Sequence, residues 1–212
     1  MKKIVIWGAS GHAIVVLDIL RLQGNFEIVG YLDDINTTSH GTMLQGLPIL
    51  GGREQLEFLR NIGVHYFIVG VGNCDVRVAL GEYLKSLGFE LVSAVHPSAV
   101  IASDVIIKPG TVVAAGAVIN PGCEIGESAI INTSSSIDHE CIIGDGAHIS
   151  PGAHLAGKVV LGRATWIGVG ASISDHITIG NGTIVGAGSV VVRDLPANVV
   201  AYGNPARVRK PR

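Results

Sequence analysis

The residues best suited to chemistry lie in NTSSSIDHECIIGDGAHISPG, residues 132–152, where His139 is followed directly by Glu140. A histidine titrates near neutrality and can take a proton from a reacting group. An adjacent carboxylate can fix its tautomer and stabilise its charged form. Consecutive residues of a strand point to opposite faces, so direct contact between these two needs a turn. The competing reading is that His139, one of eight histidines, is an ordinary surface residue. A second stretch, GASGH at 8–12, follows a short apolar run and opens a helical pattern. That places backbone N–H groups at a helix N-terminus, a natural phosphate site. It departs from GxGxxG, because Ile14 stands where the third glycine belongs, and a purely structural turn competes with the phosphate reading. The acidic position after the next strand is a doublet, Asp33-Asp34.

The elements that must position these residues fall into two halves. Residues 1–95 alternate strand-like runs (KKIVIW, FEIVGYL, HYFIVGVGN, ELVSAV) with helical ones (AIVVLDILRLQ, REQLEFLRN, CDVRVALGEYLKSLG). Strands separated by helices imply parallel βαβ units, hence an α/β Rossmann-like domain with a parallel sheet. Residues 96–212 have another grammar. Counting by six from Ile101 to Val191 meets sixteen aliphatic residues without a slip, and the position two before each is Ala, Ser, Thr or Cys in 13 of the 16 cases. A solenoid has that period, each hexad giving one short strand and a turn with the aliphatic side chain on the axis. Three faces per coil stack residues 18 apart at about 4.8 Å. His139 occupies neither repeated slot, and the stacking sets Gly157 one coil along from it, which leaves an open spot beside it.

Composition narrows the function. The chain is 48% hydrophobic but only 5% aromatic, with 29 glycines, which suits a repetitive β structure filled by Val and Ile. The net charge of −2 and the absence of a basic block before RVRKPR argue against nucleic acid as a partner. Three cysteines without CxxC spacing suit a reduced cytoplasmic setting, and the apolar run that stops at Gly8 is too short for a leader or a membrane span. Cys123 and Cys141 fill small corner slots and Cys74 begins a helix, so none is a convincing nucleophile. His139, His148, His154 and His176 do not share one hexad phase, which argues against a three-histidine zinc site; no metal is expected. A non-catalytic binding scaffold is the remaining alternative, disfavoured by a phosphate loop and a His-Glu pair in one chain.

The hexapeptide run resembles the left-handed parallel β-helix acyltransferases. GASGH, YLDD at 31–34, VGN at 71–73, the 132–152 segment and GNPARV at 203–208 extend the resemblance to their sugar-acetyltransferase branch over nearly the whole chain. Most similar are the bacterial nucleotide-4-amino-sugar N-acetyltransferases of the bacillosamine pathway, and the sialic acid O-acetyltransferases share the architecture. The resemblance implies a left-handed coil and acetyl-CoA as co-substrate. It implies a homotrimer with active sites between subunits, and a UDP-linked 4-amino-4,6-dideoxy sugar as acceptor, with GDP used by relatives. O-acetylation of a sialic or other sugar is the alternative. Carried over residue by residue, it makes His139 the base and Glu140 the group that raises its basicity. Ser10, Gly11 and His12 then meet the diphosphate or ribose, Asp33 and Asp34 the nucleoside, and Gly72 allows close approach of the chain. Asn132 lies near the sugar, and His148 and Gly157 contact acetyl-CoA, with the Gly157 N–H a candidate oxyanion donor. Val169 and Ala187 or Gly188 line the pantetheine groove.

Overall fold

The computed structural model describes residues 1–212. The first half is an α/β layer built on β1 (Lys2–Trp7), α1 (Gly11–Gln23), β2 (Phe26–Leu32), β3 (Met43–Leu44), β4 (Leu47–Gly51), α2 (Leu56–Asn61), β5 (Val64–Val69), α3 (Cys74–Ser86) and β6 (Glu90–Leu91). The sheet order is β3-β4-β2-β1-β5-β6, parallel except for the β3–β4 hairpin at its edge. Ile4 to Trp7 are buried, as expected of a central strand covered on both faces. Helix α1 buries Ala13, Val16, Leu17 and Leu20, a stripe at helical spacing, and stops at Gly24 with φ 65°, where glycine takes the left-handed turn without strain. Two sequence readings change here. REQLEFLRN begins as a 3-10 turn over Arg53–Gln55, so α2 is only six residues long. ELVSAV is not one strand: β6 ends the sheet, while β7 (Ala94–Val95) pairs with the coil.

From β7 to β23 (Val190–Val191) every strand is two residues long. From β7 to Ser172–Ile173 each pairs in parallel with the strand 18 residues on, as in Ile131↔Ile149, Ile137↔Leu155 and Ile143↔Leu161. Three parallel sheets result, the three faces of a coil. From Val113 to Val191 every six-count aliphatic is at most 3% exposed, and only Ile101 and Ile107, at the open end, are half-buried. The core is thus one axial column of Val, Ile and Leu. An antiparallel hairpin, β24 (Val199–Gly203) with β25 (Ala206–Pro211), closes the far end.

The α/β domain covers the first face. Ala94, Val112 and Ile130 point outward from that face yet are fully buried, packed in one cluster with Ile4, Ile6, Ala13 and Val16. Helix α3 seats on the edge between the third and first faces, where Glu82 pairs with Arg163 at 2.8 Å and Lys85 pairs with Glu127. The basic tail is used in part for the same purpose: Arg212 bonds the Gly182 carbonyl and pairs with Asp75, while Arg209 lies over the Tyr202 ring. The edge between the second and third faces, opposite the α/β domain, carries the turns at 121–122, 139–140, 157–158 and 175–176.

Candidate active site

His139 and Glu140 are the two residues of one such turn. Glu140 has φ 59°, the left-handed conformation that the second turn position also takes at Ser134, Lys158 and His176. This departure from strand geometry turns both side chains outward together, and His139 Nδ1 meets Glu140 Oε2 at 3.0 Å. The alternation that keeps strand neighbours apart therefore does not apply. The hydrogen bond to His139, with help from Lys158 3.6 Å away, holds the Glu140 carboxyl below its ordinary range. An ionised Glu140 accepts the Nδ1 proton, which leaves Nε2 as the free base.

The space over Gly157 is not open. A Cβ on that residue would lie 2.6 Å from both Cε1 and Nε2 of His139, so the imidazole itself occupies the place that a side chain would fill. Gly157 has no left-handed φ, hence glycine is required here for room rather than for backbone freedom. Its N–H, moreover, has no partner within the chain. In the coil above, the equivalent N–H of His139 is taken by the Asp138 carboxylate at 2.8 Å, whereas the position of Asp138 is filled by Ala156 before Gly157. A free base nitrogen and a free N–H donor thus lie side by side.

The other expected residues lie away from this turn, in the α/β domain and along the coil's first face and its edge. Ser10 caps α1 in extended conformation with its hydroxyl unused, and the first turn beyond it is open: nothing lies within 4 Å of a Cβ at Gly11. Gly8, with φ 124°, must be glycine because a Cβ would meet the Gly70 carbonyl oxygen at 2.8 Å. Gly72 likewise borders open space. Asp33 and Asp34 line a cleft with Trp7, Gly8, Val71 and Leu80. Asp33 Oδ1 accepts from the Ile35 and Asn36 amides. Burial opposes ionisation of Asp34, but its two bonds from Arg53, both 2.8 Å, hold it below the usual carboxylate range.

His148 extends this cluster and not the Gly157 turn. Its strand is in the first face, it is 8% exposed, and Nε2 lies 3.2 Å from Asn132 Nδ2. Asn132 Oδ1 already accepts from the Thr133 amide at 2.8 Å, so its NH2 faces the ring and His148 Nε2 is the acceptor. The proton is therefore on Nδ1. Trp166, one coil along, stacks on His148 with centroids 5.5 Å apart and planes 3° apart, and donates to Ser150 Oγ at 2.9 Å. Beyond it an apolar groove runs past Val169, Ile184 and Ala187, with Gly188 at the next turn. Asn132, His148, Val169, Ala187 and Gly188 therefore share one side of the coil, while His139, Glu140 and Gly157 lie on another edge.

Burial, followed by the charge of Arg77, pulls His12 down to about 4, and burial, Arg77 and His12 pull His148 down to about 3. Both rings are neutral when folded and take up protons on unfolding below the ordinary value of 6.5. The unfolded state then binds more protons, so stability falls as pH drops from about 6.5 toward about 4. The slope is at most about 1.4 kcal/mol per pH unit for each ring. Thermal melts from about pH 7 to about pH 5 are expected to show this loss, with a shallower slope for His148→Asn; parallel slopes would contradict it.

Sequence reasoning missed Lys158 and Trp166, although the 18-residue stacking places them beside Glu140 and His148. It assigned nothing to His176, which also meets a neighbouring carboxylate, Asp175, at 3.0 Å, but on a more exposed turn. No three His, Cys, Asp or Glu residues of the chain come together as a metal site. No helix is long and apolar enough to cross a membrane.

Comparison with known proteins completes the picture. Residues 3–84 match the family described as the PglD N-terminal domain, and residues 158–193 match the bacterial transferase hexapeptide (six repeats). The UDP-N-acetylbacillosamine N-acetyltransferase of Bacillus subtilis (strain 168) is 36% identical over 109 residues, 50% of this chain and about half (49%) of that relative's length. The crystal structure of PerB from Caulobacter crescentus in complex with CoA and GDP-perosamine is 40% identical, with a TM-score of 0.93 over 99% of this chain and 98% of that one. The acetyltransferase domain of PglB from Neisseria gonorrhoeae FA1090 in complex with acetyl coenzyme A is 36% identical, with a TM-score of 0.91 over 98% and 99% of the two chains.

Proposed function

We propose that this chain, which belongs to the hexapeptide-repeat N-acetyltransferases of nucleotide-linked amino sugars, transfers the acetyl group of acetyl-CoA to the C4 amine of a UDP-4-amino-4,6-dideoxy sugar. The product is of the UDP-N,N'-diacetylbacillosamine type. The observation that carries this reading is the His139–Glu140 turn over Gly157, a base with a fixed tautomer beside an unused N–H donor. His139 Nε2 removes a proton from the acceptor amine as its nitrogen attacks the thioester carbonyl. The Gly157 N–H donates a hydrogen bond to the carbonyl oxygen as negative charge builds on it. The C–N bond forms, the C–S bond breaks, and the proton on His139 passes to the departing thiolate. No acyl-enzyme intervenes, because Cys74, Cys123 and Cys141 are all buried.

Ser10, Gly11 and His12 hold the diphosphate, Asp33 and Asp34 the nucleoside, Gly72 the close approach, and Asn132 the sugar. His148, Val169, Ala187 and Gly188 border the CoA arm. His139, Glu140 and Gly157 lie on a different edge of the coil from these binding residues, which favours a homotrimer of left-handed coils, each site closed by the edge of a neighbour. Free buried thiols suit a cytoplasmic enzyme.

A second reading, a GDP-linked 4-amino sugar, is favoured by the near full-length similarity to a protein solved with GDP-perosamine. Thiol release from acetyl-CoA with UDP- and GDP-4-amino-dideoxy sugars decides between them. A higher kcat/KM for the UDP sugar is expected; a preference for the GDP sugar moves the assignment to the second reading.

A further inference from the structure

Arg77 is fully buried, and no carboxylate meets its guanidinium. Asp75, the nearest acid on its helix, pairs with Arg212 instead. Every bond goes to a main-chain carbonyl: Nη1 donates to Val71 and Gly72, both at 2.9 Å, Nε to Ser128 at 2.6 Å, and Nη2 to Gly146 at 2.7 Å. A buried charge is a costly way to join two domains, since apolar residues of similar volume do so at least as well. What the planar fork supplies is geometry: it fixes three separate segments relative to one another. Those segments are the 71–72 turn, the Ser128 turn and the turn that leads into His148.

The line continues past the arginine. The Gly72 main chain that Arg77 holds lies beside the His148 ring, whose buried Nδ1 has no hydrogen-bond partner. His148 Nε2 in turn accepts from Asn132. Beyond Gly72, Asn73 is committed as the cap of α3, accepting from the Val76 amide at 3.1 Å. The turn at 71–73 is therefore pinned at both ends, while the space beside Gly72 is open. We propose that Arg77 is a positioning residue for nucleotide-sugar binding, fixing the Val71–Asn73 turn of the α/β domain against the His148–Asn132 pair of the coil. This rests on the reading of that turn as part of the nucleotide site.

The test compares Arg77→Lys and Arg77→Met with Gly81→Ala, whose Cβ would meet Ser128 Oγ at 3.0 Å and so strain the same helix–coil contact without touching the 71–72 carbonyls. Arg77→Lys is expected to raise KM for the nucleotide sugar about tenfold or more, the scale of losing charge-assisted bonds. KM for acetyl-CoA and kcat should change by less than about twofold in Arg77→Lys, and Arg77→Met should weaken nucleotide-sugar binding further. Gly81→Ala should lower Tm and leave both KM values unchanged. An unchanged nucleotide-sugar KM in Arg77→Lys, or an equal rise in Gly81→Ala, would overturn the proposal. If Arg77→Met does not fold, Arg77→Lys decides alone. Calorimetric titration with the nucleoside diphosphate reports the same loss without turnover. Failure of the wild type to turn over any amino sugar would sink the proposed activity, whereas an active wild type with an unaltered Lys variant sinks only this positioning role.

Discussion

His139→Ala is expected to lower kcat by about 10²- to 10⁴-fold, the usual contribution of a positioned base. The ring is half exposed and rests on a glycine, so its loss opens no core cavity and Tm should move little. Loss of the base leaves substrate contacts in place, which predicts a fall in kcat with both KM values within a few-fold. A variant within about tenfold of wild type would put the proton acceptor elsewhere.

Gly157→Ala is expected to cost about 10²-fold or more in kcat, with the protein as stable as before. Its Cβ would come within 2.6 Å of two His139 ring atoms, and the half-exposed imidazole must swing away. Backbone strain plays no part, because the residue has an ordinary φ. Two groups acting through one proton transfer do not add. In the His139→Ala background the same Gly157→Ala change should therefore lose little more. Full additivity would show that Gly157 acts independently of the histidine.

Much of this was legible in the sequence because a repeat propagates its register. Once sixteen aliphatics kept a six-residue period, the 18-residue stacking of Gly157 on His139 followed, and the strand pairs carry it out. What fills that stack was not legible: a glycine one coil along reads equally as space for a ligand or space for a neighbour's ring. The contact between His139 and Glu140 needed the left-handed second turn position, which glycine announces at 122 and 146 but Glu140 does not. Arg77 was hidden for a related reason. A lone arginine on an amphipathic helix reads as solvated, and only the tertiary arrangement of main-chain carbonyls shows that it is buried. His148 carries no sign in its own neighbourhood that the α/β domain will cover it, since the covering residues lie more than 70 positions earlier.

The most direct test is the chemistry of the product. Wild-type protein is incubated with acetyl-CoA and a UDP-4-amino-4,6-dideoxy sugar, beside the 4-hydroxy counterpart and sialic acid, and the products are weighed by mass spectrometry before and after hydroxylamine. One acetyl group added to the amino sugar alone, and retained through hydroxylamine as an amide, is the expected result. Acetylation of the 4-hydroxy sugar or of sialic acid, removed by hydroxylamine as an ester, would contradict N-acetyl transfer at this site.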